Sequence, residues 1–108
     1  MSAGPLVGLT EVPHRIAHLL AEALPDSWDR AIVEAELGPN SIFVTSLYAP
    51  PGGDALRDTG YIDGLDDALM ELADVVAQSG NGPYKKCRFT LDRSGQVDVK
   101  YDYGEGYA

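Results

Sequence analysis

The chain has 108 residues, 44% of them hydrophobic and 23% charged, which is the composition of one ordinary folded domain. It contains 17 Asp and Glu against 8 Lys and Arg, so its formal net charge is -9. This excess disfavours nucleic acids and anionic membranes as partners, because binding either one requires cations that neutralise phosphates. It favours a basic protein partner, since opposite charges raise the rate of encounter.

The expected compartment follows from the cysteine count and the N-terminus. Cys87 is the only cysteine, so no disulfide can form within the chain, and a reducing cytoplasm is the expected location. Residues 1–9 lack the basic region and unbroken apolar run of a signal peptide, and no apolar stretch approaches the ~20 residues of a membrane span. We expect a cytoplasmic protein with a flexible N-terminus over residues 1–9 and a single α+β domain over residues 10–105.

The first predicted element is a helix that begins at Thr10, a suitable N-cap, and ends before Pro25. This start places Pro13 in the first helical turn, where its missing N–H does no harm. The apolar side chains of the segment recur every 3.6 residues and form one stripe. They are Val12, Ile16, Leu19, Leu20, Ala23 and Leu24.

The hydrophobic period then changes from 3.6 to two. From Asp29 to Leu37, apolar and polar side chains alternate, as in a strand with one face on a core. A Gly-Pro-Asn turn follows, and the β-branched and aromatic run Ile42–Tyr48 completes a predicted hairpin. The Pro- and Gly-rich segment Ala49–Gly60 is predicted to be an exposed loop.

A second helix and a second hairpin complete the chain. Asp63 is expected to cap a helix that runs to about Gln78 and carries its acidic side chains opposite its apolar stripe. Strands Cys87–Leu91 and Val97–Tyr103 alternate in the same way and turn at Gly95. The order helix, hairpin, helix, hairpin predicts a two-layer α+β sandwich, in which two helices cover one face of a four-stranded antiparallel sheet.

The residues give no indication of catalysis, so we expect neither an enzyme nor a cofactor. His14 and His18 have the spacing of two metal ligands on a helix, but Arg15 stands beside them and a third ligand is missing. Cys87 lies in register with core residues of its strand, where a thiol is a poor nucleophile. We therefore predict no metal site, and whether the two histidines bind a metal stays open.

Negative charge is concentrated between Asp54 and Gln78, where seven acidic residues face one base, Arg57. A solvated helix face is one interpretation of this pattern. A partner interface is the other, favoured by the adjoining Pro/Gly loop and its aromatic residue. We predict that the partner-binding residues are Asp54, Asp58, Tyr61, Asp63, Asp66, Asp67, Glu71 and Asp74, and the polar face of the sheet is the alternative.

Two segments carry a resemblance to a known family. Leu24–Trp28 reads Leu-Pro-Asp-Ser-Trp and precedes an acidic alternating strand, and Cys87–Tyr103 has an aromatic-x-leucine motif, a turn glycine and a tyrosine-x-tyrosine pair. These motifs resemble the YezG-like family of bacterial immunity proteins over about residues 10–105. The sequence departs from that family at Tyr84, where a tryptophan is more usual before the third strand.

The resemblance implies an antitoxin encoded beside a polymorphic or contact-dependent growth inhibition toxin. Such a protein neutralises the cognate toxin domain in the cytoplasm of the producing cell, and we expect it to do so by occluding the toxin's active site. Several toxins of the family are nucleases, whose basic clefts would suit an acidic surface. The family supplies no catalytic residues.

Other classes of function stay open beside this one. A cytoplasmic chaperone that holds an effector for secretion is the first alternative, and a small metal-binding or enzymatic domain is the second. The protein without its partner is expected to be a monomer or a weak homodimer formed through a sheet edge.

Overall fold

The computed structural model describes residues 4–25, 27–52, 55–78 and 82–104, and for residues 4–10 it describes the backbone alone. Its strands form one antiparallel sheet in the order β3-β2-β1-β4-β5, so β1 lies at the centre. No helix in these ranges has the length and apolarity needed to cross a membrane. The elements are α1 (Gly4–Ala23), β1 (Arg30–Leu37), β2 (Ile42–Ala49), β3 (Arg57–Asp58), α2 (Leu65–Val76), β4 (Lys86–Asp92) and β5 (Val97–Asp102).

The prediction of a four-stranded sheet in helix-hairpin order is wrong, although the α+β class is right. The strand that the prediction lacked is β3. It lies inside the segment that was expected to be a loop, and it pairs with the end of β2. The Thr59 amide donates to the Ser46 carbonyl at 3.1 Å, and the two hydroxyl oxygens of these residues lie 2.6 Å apart. A strand of two residues has no alternation to detect, so hydrophobic periodicity cannot reveal it.

The first helix also begins earlier than predicted, at Gly4 instead of Thr10. Pro13 therefore lies inside the helix, and its ring is buried. A proline in a helix interior removes one backbone hydrogen bond, whereas a proline in the first turn removes none. The sequence rule therefore favours the first turn for Pro13, whereas in this structure Pro13 lies in the helix interior.

The core lies between the two helices and one face of the sheet. Ala31 and Val33 of β1 are fully buried and stand opposite Leu91 and Phe89 of β4, respectively. The helices contribute most of the apolar stripes predicted from the 3.6-residue period, but Ala23, predicted to belong to the stripe of the first helix, is exposed. Besides Pro13, the buried helical side chains are Val12, Ile16 and Leu20 of α1 and Leu65, Ala68, Leu69, Leu72, Ala73 and Val76 of α2.

The two segments that carry the family resemblance contact each other. The Arg93 guanidinium lies over the buried Trp28 ring, with its central carbon 5.4 Å from the ring centroid. The Arg93 amide also donates to the Asp29 carbonyl at 2.9 Å. A cation over an indole face is attracted by the electron-rich ring. These motif residues therefore hold the start of β1 against the turn between β4 and β5.

Tyr84 fixes α2 on the sheet. Only 1% of this residue is exposed, and its hydroxyl donates to the Leu69 carbonyl of α2 at 2.7 Å. Its ring stacks on Tyr101 of β5, with centroids 5.8 Å apart. The position where the family more usually has a tryptophan thus holds a side chain that both fills the core and bonds the helix backbone.

We expect Tyr84→Phe to destabilise the fold by about 1 kcal/mol, because the buried Leu69 carbonyl loses a hydrogen-bond donor while the ring is kept. Urea denaturation followed by circular dichroism measures this change in the free energy of unfolding. Tyr103→Phe, at an exposed position, is the matched control and should leave the free energy unchanged. Equal stability of the two variants would show that the Tyr84 hydroxyl does not support α2.

Candidate partner-binding surface

The structure places most of the predicted partner-binding residues on or beside α2. Asp58 lies in β3, and Tyr61 and Asp63 lie in the connection from β3 to α2. Asp54 falls outside the described residues. The remaining four acidic residues lie on α2, and every predicted residue that the structure describes is exposed. These four are Asp66, Asp67, Glu71 and Asp74.

The start of α2 differs from the prediction. The N-cap is Gly64, which has a left-handed φ of 85°, and no side chain caps the helix. Asp63, the predicted cap, instead accepts a long hydrogen bond of 3.4 Å from the Tyr61 hydroxyl. Two carboxylates in the first turn, at Asp66 and Asp67, complement the positive end of the helix dipole without a capping side chain.

Met70 belongs to the same surface, and the sequence analysis missed it. Its side chain is 47% exposed, and it lies one helical turn after Asp66 and one turn before Asp74. Tyr61, at the end of this surface, is 82% exposed. The spacing that groups the carboxylates also places Met70 among them, so the signal was in the sequence. We define the α2 acidic surface as Tyr61, Asp63, Asp66, Asp67, Met70, Glu71 and Asp74.

Arg15 of α1 is the cation that meets this surface. Its guanidinium donates two hydrogen bonds to the Glu71 carboxylate, at 2.9 and 2.8 Å. This bond holds the pKa of Glu71 below its ordinary value and raises the pKa of Arg15. Within the described part of the chain, Asp66, Asp67 and Asp74 have no cation within 4 Å. Most of the negative charge of the surface is therefore uncompensated.

The phenol of Tyr61 lies in the field of these carboxylates. Its pKa is raised above the ordinary value, chiefly by the negative charge of Asp63 and to a smaller extent by Asp66 and Asp67. Negative charges disfavour the phenolate, so the raised pKa is the expected sign. An aromatic ring with a neutral hydroxyl therefore borders the acidic helix face at any physiological pH.

The outer face of the sheet, which is the alternative surface, has a different charge arrangement. Its acidic and basic side chains stand opposite each other on β1 and β4, and one such pair, Glu34 with Arg88, is in contact at 3.4 Å. Opposite charges on neighbouring strands cancel at a distance, so this face attracts charged partners weakly. It also carries Phe43, which is 70% exposed beside a shallow groove. The opposed charges are Arg30 with Asp92, Glu34 with Arg88 and Glu36 with Lys86.

The other residues considered for chemistry lie apart from this surface. Cys87 is buried as predicted, and burial raises the pKa of its thiol to about 12. His14 and His18 are exposed on α1. In the residues that the structure describes, no three His, Cys, Asp or Glu side chains come together in a way that could hold a metal ion.

Two comparisons with known proteins bear on the function of this chain. No family model matches the chain, so the YezG-like resemblance stays a prediction. The chain is similar to the type VII secretion system protein EsaG of Staphylococcus aureus (strain NCTC 8325 / PS 47), with 24% identity over 111 residues. The match covers 88% of this chain and 68% of EsaG. The chain therefore has a distant link to a protein of a bacterial secretion system.

We expect Asp63→Asn to lower the pKa of the Tyr61 phenol towards its ordinary value, because the largest source of negative potential at the hydroxyl is removed. NMR titration of protein with ¹³C-labelled tyrosine rings measures the shift. Asp74→Asn removes the same charge from a residue that does not contribute to the Tyr61 pKa, and it should leave that pKa unchanged. Equal effects of the two variants would place Tyr61 away from the start of α2.

Proposed function

We propose that this chain is an immunity protein that binds a cognate toxin domain and occludes its active site. The observation that carries the proposal is the α2 acidic surface, whose carboxylates are largely uncompensated and lie beside two exposed side chains with apolar surface, Tyr61 and Met70. Apolar anchors inside a polar rim are the usual arrangement at protein interfaces. The acidic rim would attract the partner, and the anchors would provide most of the affinity.

The partner that best fits this surface is a toxin with a basic active-site cleft. A nuclease has such a cleft, because it must neutralise the phosphates of its substrate. Long-range attraction between the cleft and the carboxylates of α2 would speed association. An acidic helix seated in the cleft would then exclude the nucleic acid by occupying its site.

The similarity to EsaG supports this proposal. A cell that exports a toxin through a secretion system needs protection from the toxin before export, and a small binding protein provides it. The YezG-like resemblance implies the same role. The thiol of Cys87 is buried, and His14 and His18 are exposed on α1. Both observations are compatible with a protein that acts by binding.

A second candidate is a chaperone that keeps an effector competent for secretion, and the similarity to a secretion system protein also favours it. The two functions differ in what happens to the bound protein. An immunity protein leaves its partner folded and inactive, whereas a chaperone raises the amount exported. Measuring toxin activity and export yield with and without this chain separates them.

The direct test uses the toxin domain encoded beside this chain and measures association by stopped-flow fluorescence. Neutralising three carboxylates, in Asp66→Asn/Asp67→Asn/Asp74→Asn, should slow association about tenfold at low salt and flatten its salt dependence. The same variant should protect cells that express the toxin less well than the wild-type chain does.

The matched control is Glu22→Gln/Glu36→Gln/Asp92→Asn, which removes the same charge from exposed positions away from α2. It should change the association rate less than twofold. If the control slows association as much as the α2 variant, the net charge or the outer face of the sheet, where Glu36 and Asp92 lie, and not the α2 acidic surface, attracts the partner. If neither variant slows association, the partner binds elsewhere.

A further inference from the structure

Among the described residues, the last strand of the sheet, β5, pairs on one side only, and the hydrogen-bonding direction of its other edge can be read from its pairing with β4. The Asp92 amide donates to the Gln96 carbonyl at 2.9 Å, so these two residues form a hydrogen-bonded pair. Such pairs alternate in antiparallel strands, which makes Asp98 and Lys100 the next residues bonded to β4. The odd-numbered residues therefore direct their N–H and C=O groups outward. They are Val97, Val99 and Tyr101.

The side chains of β5 divide between two faces. Asp98 and Lys100 are exposed on the outer face of the sheet. On the helix side, the apolar side chains of β5 are only half-buried, although α1 contacts this strand. In the part of the chain that the structure describes, no strand pairs with β5 on its open side. The edge thus presents backbone groups, an apolar row and two opposite charges.

We propose that β5 pairs with β5 of a second copy of this chain, antiparallel about a two-fold axis at Val99. Val99 then forms a hydrogen-bonded pair with its own counterpart, which matches the outward direction of its backbone groups. Asp98 lies opposite Lys100 of the second copy, and Lys100 lies opposite Asp98, on the same face and at the closer pair positions. On the other face, Val97 meets Tyr101.

The charges of β5 select this register. In one other two-fold register, five residues of each strand also pair, and the backbone N–H and C=O groups that point outward again face each other. The axis of that register lies at Lys100. That arrangement places Lys100 against its own counterpart and Asp98 against Asp102, so like charges meet at every charged pair. Because Asp98 and Lys100 lie at equal distances on either side of Val99, the strand pairs with itself in this one register, with the axis at Val99.

The resulting dimer would leave α2 accessible. α1 contacts β5, whereas α2 contacts β2 on the other side of the central strand. Pairing through β5 therefore keeps the α2 acidic surface of each copy away from the new interface. A dimer with two partner sites follows if the proposed function holds, but the pairing itself does not depend on that function. An interface formed by five residues of each strand is small, so we expect the dimer to be weak and its formation to depend on protein concentration.

The experiment is sedimentation velocity of the full chain over a hundredfold range of concentration. Asp98→Lys or Lys100→Asp should raise the dimer dissociation constant about tenfold, because each places like charges in two pairs. The exchanged variant Asp98→Lys/Lys100→Asp restores both pairs and should restore the dimer. Glu36→Lys, on the outer face of β1, is the control for the altered net charge and should dimerise like the wild type.

A proline scan tests the backbone directly. Val99→Pro removes an outward N–H and should abolish the dimer while the fold is retained by circular dichroism, since edge strands tolerate proline on their open side. Lys100→Pro removes an N–H that bonds to β4 and should destabilise the fold instead. A wild-type chain that stays monomeric at all concentrations overturns the proposal. Single charge variants that dimerise like the wild type also overturn it, and so does an edge that pairs only with the toxin.

Discussion

The burial of one side of α2 against the sheet is the constraint on which the candidate site depends. Leu65, Leu69 and Leu72 are almost completely buried, and the Tyr84 hydroxyl donates a hydrogen bond to the backbone carbonyl of Leu69. A helix held in this way has no freedom to turn its polar side inward. The carboxylates of α2 must therefore face outward together, and Met70 must be exposed with them. Packing of the core sets the composition of the surface.

The same sheet has two unlike ends. α2 lies towards β2, and Arg15 compensates one of its carboxylates, that of Glu71, whereas β5 forms the opposite edge and carries one exposed acid and one exposed base. Between these ends, the outer face of the sheet pairs its own opposite charges across β1 and β4. Each surface thus fits a different kind of neighbour: a basic partner for α2, and a self-complementary strand for β5.

Much of the fold could be predicted because the buried residues repeat with the periods of helices and strands. Ala31 and Val33 alternate as expected, but the two residues of β3 are too few to show any period. Asp63 matches a helix cap in sequence, yet Gly64 takes that position through a backbone geometry that no side chain reveals. Met70 was missed because an apolar residue in a helix is first assigned to the core, and only the register with Asp66 and Asp74 places it outside.

The central claim is that the toxin domain encoded beside this chain binds the α2 acidic surface. The dissociation rate of that complex tests the claim most directly. Met70→Ala and Phe43→Ala each remove one exposed apolar side chain, the first from the α2 acidic surface and the second from the outer face of the sheet. The account predicts dissociation at least about tenfold faster for Met70→Ala, as for a buried anchor, and no change for Phe43→Ala. The reverse result would place the partner on the outer face of the sheet and contradict the account.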